Sequence, residues 1–247
     1  MWTEITRRKH ARKGLRYSSD LTDEEWAVLE PLLPARSRLG RPAKWSLRTI
    51  TNALLYILRS GQPWRMLPGD FPPVTTVQRY FYAWRDAGLW SDINHLLLLA
   101  CREAAGREAS PSAGVIDSQS VKTTESGGPC CGACPRASRR LDPGDAGKKI
   151  KGRKRHILTD TGGLLVTALV HTADIQDRDG APDVLASIRA SFPWLRHVFA
   201  DGGYGGDKLR DAMAGRGQWT LQIIKRSDTA KGFVLLPRRW VVERTFG

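Results

Sequence analysis

Apolar side chains recur at helical spacing between residues 20 and 105 and at strand spacing from residue 113 onward. The chain therefore reads as a helical part followed by an α/β part. Thr22 stands three residues ahead of Glu25, a capping pair, and Trp26, Leu29 and Leu33 share one face until Pro34 ends the turn. Ser46 is placed to cap a second helix with Ile50, Leu54, Ile57 and Leu58 as its stripe and Gly61 as its stop. Thr75 or Thr76 opens a third, in which Val77, Tyr80, Phe81 and Trp84 line one face and Gln78, Arg79, Tyr82 and Arg85 lie on others. A fourth runs from about Leu89 to Ala105. Three short helices with a basic, Gln-bearing third suggest a helix-turn-helix module, although a plain helical packing domain fits the same pattern. The aromatics Trp26, Tyr80, Phe81 and Trp84 are read as core.

The second part opens on Gly114-Val115-Ile116-Asp117, a short buried strand with one carboxylate at its C-terminal end. A second such stretch, His197-Val198-Phe199-Ala200, ends in Asp201, 84 residues after Asp117. Between them, His156 to Thr159 reads as a strand, and Gly162-Gly163 turns it into the strand Leu164 to Val170. Helices are expected over 179–190 and 208–214, strands over 198–201 and 219–224, and a closing helix that opens at Pro237 and carries Glu243. The result is a mixed α/β sheet with flanking helices.

Composition changes the picture in one respect. Apolar residues at 41% and charged residues at 26% are those of an ordinary globular protein, but the formal charge is +14. Such a surface favours polyanions, of which nucleic acid is the usual one; a basic chain that merely stays soluble is the bland alternative. Residues 1–19 carry six Lys/Arg against one Glu and read as a basic flexible arm. Lys148, Lys149, Lys151, Arg153, Lys154 and Arg155 put six cations into eight residues, a run that either faces solvent or contacts a DNA backbone. No apolar run approaches the ~20 residues that span a bilayer, and no apolar segment follows the basic N-terminus. Four Cys in a chain this long make no disulfide framework, so a reducing cytoplasm is expected.

Asp117, Asp201 and Glu243 are the candidate chemistry. Three carboxylates brought together resist ionisation unless a cation is present, and hard oxygen ligands suit Mg²⁺ or Mn²⁺. Two such ions can activate a nucleophile and stabilise a leaving oxygen at a phosphodiester. The alternative is that Asp117 and Asp201 cap turns and Glu243 pairs with Arg239 across one helical turn. His156 and His171, near strand ends, are read as packed or surface residues rather than a general base.

Six segments together resemble a bacterial insertion-sequence transposase of the DDE class, in the group named after insertion sequence five. They are residues 21–26 (LTDEEW), 61–65 (GQPWR), 115–120 (VIDSQS), 149–156 (KIKGRKRH), 200–204 (ADGGY) and 239–244 (RWVVER). The resemblance implies a helical DNA-binding domain over 20–108 and a ribonuclease H-like catalytic domain over 109–247. It implies that Asp117, Asp201 and Glu243 hold two Mg²⁺ or Mn²⁺ ions. It also implies a nucleoid-associated homodimer on double-stranded DNA that cuts at terminal repeats and joins the freed 3′-hydroxyls to target DNA. Water would be the nucleophile in the first step and the 3′-hydroxyl in the second, without a covalent protein intermediate. Gln78, Arg79, the 148–155 cations and Arg239 are the expected DNA contacts.

The chain departs from the family pattern in three places. Leu236 stands where relatives often carry Tyr, and a loop over 128–146 with Cys130, Cys131 and Cys134 looks inserted. Cys131 and Cys134 have metal-ligand spacing but no second pair, so a loop without zinc is the expectation. The chain also stops four residues past Glu243, where relatives continue to a Lys. A truncated or frameshift-derived product with weak or no transposition activity is expected on that ground. Two other readings remain beside the transposase: a non-catalytic DNA-binding protein or repressor, and a general ribonuclease H-like nuclease.

Overall fold

The computed structural model describes residues 3–4, 11–35, 42–122, 144–145, 150–214, 219–224, 241 and 245, with backbone only at 144, 145, 150, 151 and 214. Glu243, Arg239, Lys148, Lys149 and the three clustered cysteines lie outside the described residues, as does most of the 128–146 loop. The chain divides into two compact units, residues 1–93 and 94–247. Among the described residues no helix is long and apolar enough to cross a membrane.

The first unit is helical. Helix α1 (Asp23–Leu29) starts with the full reciprocal cap, Thr22 accepting from the Glu25 amide and Glu25 from the Thr22 amide. Helix α2 (Leu47–Ser60) is capped by the Ser46 hydroxyl and ends at Gly61, whose φ of +64° is the left-handed stop that glycine adopts without strain. Helix α3 (Val74–Asp86) buries Val77 and Trp84, while Trp26, Tyr80 and Phe81 are half-buried. Arg12, Arg16 and Tyr17 come from the segment expected as a flexible arm, yet they are held against these helices. Arg12 bonds the Asp20 carbonyl and Glu25, and Arg16 and Tyr17 both reach Asp70. Tyr17 also stacks on Phe71, which packs against Tyr56.

Helix α4 (Leu89–Ala104) spans the boundary between the units. The second unit is built on strands β1 (Ala113–Lys122), β2 (Gly144–Asp145), β3 (Ile150–Asp160), β4 (Leu165–Thr172), β5 (His197–Ala200) and β6 (Thr220–Ile223). Helix α5 (Asp177–Ile188) precedes β5 and helix α6 (Asp207–Ala214) follows it. The main sheet runs β4-β3-β1-β5-β6, with β2 a two-residue addition on β3. β4, β3 and β1 are antiparallel neighbours, whereas β1, β5 and β6 are parallel. This is a ribonuclease H-like mixed α/β sheet with flanking helices, preceded by a helical region.

Alternation along the strands sorts the core into two faces. Ile116, Leu158, Val198 and Ala200 join Val184, Leu185 and Ile188 of α5 and Leu209 and Met213 of α6 in the larger cluster. Val115, Ile157 and Phe199 make a smaller cluster on the other face. Two strands differ from expectation. The basic run and the apolar strand after it are one element, because β3 pairs continuously with β1 from Gly152 to Asp160. Asp117 is not at the end of its strand. β1 runs on to Lys122 because β3 supplies ladder bonds that far, while parallel pairing with β5 is recorded only to Val115. Toward its parallel neighbour, then, Asp117 does stand at a C-terminal edge.

Candidate active site

The parallel register brings the first two carboxylates together. β1 and β5 pair Ala113 with His197, Gly114 with Val198 and Val115 with Phe199. The same offset, carried two residues further, sets Asp117 beside Asp201. Both are half-buried and, by strand alternation, lie on the face of Val115 and Phe199. Asp117 Oδ1 accepts from the Ser118 amide at 2.7 Å. Asp201 caps the single helical turn Gly202–Tyr204, its Oδ1 accepting from the Gly203 amide at 2.8 Å. The turn-capping alternative is thus realised at Asp201.

A third carboxylate, not singled out in the sequence, stands beside them. Asp177 is the first residue of α5, and its Oδ1 accepts from Ser118 Oγ at 2.7 Å and Lys154 Nζ at 2.9 Å. A Cβ added to Gly203 would lie 3.1 Å from Asp201 Oδ1 and 3.4 Å from Asp177 Oδ2, so both acids border one small space. The signal that could have found Asp177 was weak. It is one of several acids near the start of a helix, where acids are common.

Tyr204 is fully buried, and its phenol pKa is pushed up, first by burial and then by the negative charge of Asp177, Asp117 and Asp201. Three carboxylates thus lie near enough to the hydroxyl to act on it. Burial alone would raise the Asp177 carboxyl, but hydrogen bonds from Lys154 and Ser118 and the Lys154 charge hold it below its ordinary value. His156 is also fully buried. Burial first, then repulsion from His171, lowers its pKa to about 4, so it is neutral at physiological pH. Its Nδ1 meets His171 Nε2 at 2.5 Å, and α5 comes so close that a Cβ on Gly180 would lie 2.3 Å from His156 Cε1. Only glycine fits there. His156 is thus a packed residue, as the sequence suggested.

The basic run splits by strand alternation. Arg155 is exposed and bonds Gln119 Oε1 across the ladder, and Arg153 is half-buried. Lys154, grouped with the DNA contacts from sequence, turns inward: its side chain is 4% exposed, and its ammonium bonds the Ile175 carbonyl at 2.8 Å and Asp177. Of Lys151 only the backbone is described, in β3. Gln78 is half-buried and Arg79 exposed on α3, in the other unit. Among the described residues no three His, Cys, Asp or Glu side chains converge closely enough to hold a metal ion, and Glu243 is not among those residues.

A family model described as "Transposase DDE domain" matches residues 108–247, and one described as "Putative transposase of IS4/5 family" matches 21–94. An "Insertion element IS402 uncharacterized 16.2 kDa protein" of Burkholderia cepacia is 32% identical over 113 residues, 43% of this chain and 76% of the relative. A "Putative transposase for insertion sequence element IS402" of the same species is 31% identical over 113 residues, 43% of this chain and 53% of the relative. An uncharacterized protein of Sinorhizobium fredii is 30% identical over 84 residues, 34% of this chain and 65% of the relative. The chain thus spans about half to three quarters of the curated relatives it matches. No solved structure matches it. With a DDE-domain match over more than half its length, laid on this mixed sheet, the chain belongs to the DDE transposases of the IS4/5 type.

Proposed function

We propose that this protein binds the ends of an insertion sequence, cleaves DNA there and transfers the freed 3′ ends to target DNA. The observation that supports the reading is the register of β1 and β5, which pairs Val115 with Phe199 two residues ahead of Asp117 and Asp201 at the carboxyl edge of a parallel pair. DDE transposase domains use divalent metal ions, and hard carboxylate oxygens fit Mg²⁺ or Mn²⁺. Asp117 and Asp201 would hold them, with Glu243 as the third ligand. Bound there, two ions would supply charge neutralisation and Lewis-acid activation at the phosphodiester.

The chain's own residues do the rest. Fully buried Tyr204 anchors the turn that follows Asp201 in the larger core cluster. Arg153 and Arg155, with Lys148, Lys149, Lys151 and Arg239, would contact phosphates, which positions DNA without reading its sequence. Lys154 is left out of that group because its ammonium is occupied by Asp177. Exposed Arg79, with Gln78 on α3, would meet DNA from the helical unit.

The test is strand cleavage and strand joining on duplexes carrying the element's ends, in Mg²⁺ or Mn²⁺. Asp117→Asn and Asp201→Asn are each expected to abolish both products while gel-shift binding survives or strengthens. Cleavage that persists in both variants overturns the reading. Hydrolysis without joined products from pre-cut ends would indicate a general nuclease instead.

A further inference from the structure

We propose that Asp177 is a positioning residue for the two catalytic carboxylates, clamping the strand of Asp117 to the corner that carries Asp201. The inference rests on the metal-dependent reading above. Asp177 bonds the chain neighbour of Asp117 and lies close to Gly203, two residues past Asp201. Its Oδ1 takes the hydroxyl of Ser118, directly after Asp117, and its Oδ2 faces Gly203, whose amide bonds Asp201. Strand alternation puts Ser118 on the sheet face opposite Asp117, so Asp177 braces β1 from behind rather than sharing a metal with it.

Two independent features mark this clamp as more than a fold contact. Lys154 brings a buried ammonium to Asp177, although a well-packed apolar pair commonly gives equal or better stability. His156 Nε2, in a fully buried ring, points at Asp177 Oδ1 from 3.8 Å and, among the described residues, has no hydrogen-bond partner. Lys154 and Ser118 hold Oδ1 with the His156 ring packed beside them, and Oδ2 stays directed toward Gly203.

The test uses the full chain and Tb³⁺ as a luminescent probe of the divalent site, with Mn²⁺-dependent cleavage as a second readout. Asp177→Asn keeps the shape and the acceptor for Ser118 but removes the charge opposite Lys154. It is expected to raise the Tb³⁺ and Mn²⁺ half-saturation concentrations about 10-fold or more, the usual effect of losing a group that orients metal ligands. DNA affinity in gel shifts should stay unchanged. Lys154→Met should give a similar shift, and Asp177→Glu a smaller one. Should Asp177→Asn fold poorly, Lys154→Met and Ser118→Ala carry the same test. Unchanged half-saturation in these variants, with only a lower melting temperature, overturns the proposal in favour of a fold contact. Loss of Tb³⁺ binding as complete as in Asp117→Asn overturns it in favour of a direct ligand. If Asp117→Asn itself leaves Tb³⁺ binding untouched, the metal-dependent reading has failed, and the proposal fails with it.

Discussion

Strand β3 carries two ion pairs, the buried Asp160 with Arg102 near its end and the buried Lys154 with half-buried Asp177 near its middle. They are built differently. Both oxygens of Asp160 are saturated: Oδ1 accepts from the amides of Gly162 at 2.8 Å and Leu164 at 2.9 Å, and Oδ2 from Arg102 and Arg107. Arg102 is completed by the Glu108 carbonyl at 2.8 Å. This pair ties the β3–β4 hairpin to the end of α4, and its polar atoms have partners. At Asp177 one oxygen is saturated, the other borders Gly203 beside Asp201, and an imidazole nitrogen with no hydrogen-bond partner among the described residues stands beside the first. A satisfied buried pair holds a fold together. A pair left incomplete on the side of the acids points to chemistry.

That contrast can be broken by mutation. The largest effect is expected at the saturated pair: Asp160→Ala strands a buried guanidinium and two amides and should cost about 3–5 kcal/mol in urea unfolding. A cost near zero would falsify the structural role. Next is pH. The folded-state pKa of His156 is lowered to about 4, from an ordinary 6.5. Between those values the unfolded chain binds a proton that the folded one does not, so stability falls as pH drops from about 6.5 to 4. The full loss is on the order of 3 kcal/mol. His156→Leu should flatten that window, as read by thermal melts across pH. Asp177 has the carboxylate sign: its lowered pKa adds stability above the ordinary carboxylate range, which disappears at still more acid pH. Lys154→Met should remove that component.

Third is Gly180→Ala, whose methyl would meet the His156 ring at 2.3 Å. Overpacking of this kind typically costs about 1–3 kcal/mol, and a melting temperature equal to wild type would contradict the close approach. The smallest stability effect belongs to Arg155→Ala on the exposed edge, within about 0.5 kcal/mol. That variant should instead weaken binding on all DNA sequences and reduce the salt slope by about 1. A sequence-selective loss would mean that Arg155 reads bases.

Much of the helical unit was legible because its signals are local. The Thr22–Glu25 capping pair, the Ser46 cap and the Gly61 stop each act within one turn, and each is where the spacing put it. The hairpin at Gly162-Gly163 followed the same logic, with Gly163 at φ +90°. Boundaries drifted by a residue or two, as at α5, expected over 179–190 and found over 177–188. The Lys148–Arg155 run was misjudged in one member. Composition treats neighbouring cations alike, but a strand sends Lys154 and Arg155 to opposite faces, one into the site and one to solvent.

What the amino-acid order determined alone was the class of element at each stretch, the basic balance and the identity of Asp117 and Asp201 as strand-edge acids. Local capping, periodicity and charge depend on neighbours within a few residues, and these can be read directly. Only the folded sheet decided that the two acids share a level, since that depends on the offset between strands 84 residues apart. It also decided that Asp177, Lys154 and His156 meet behind them. Partners so distant along the chain are chosen by packing of the whole unit, and no short-range pattern carries that choice.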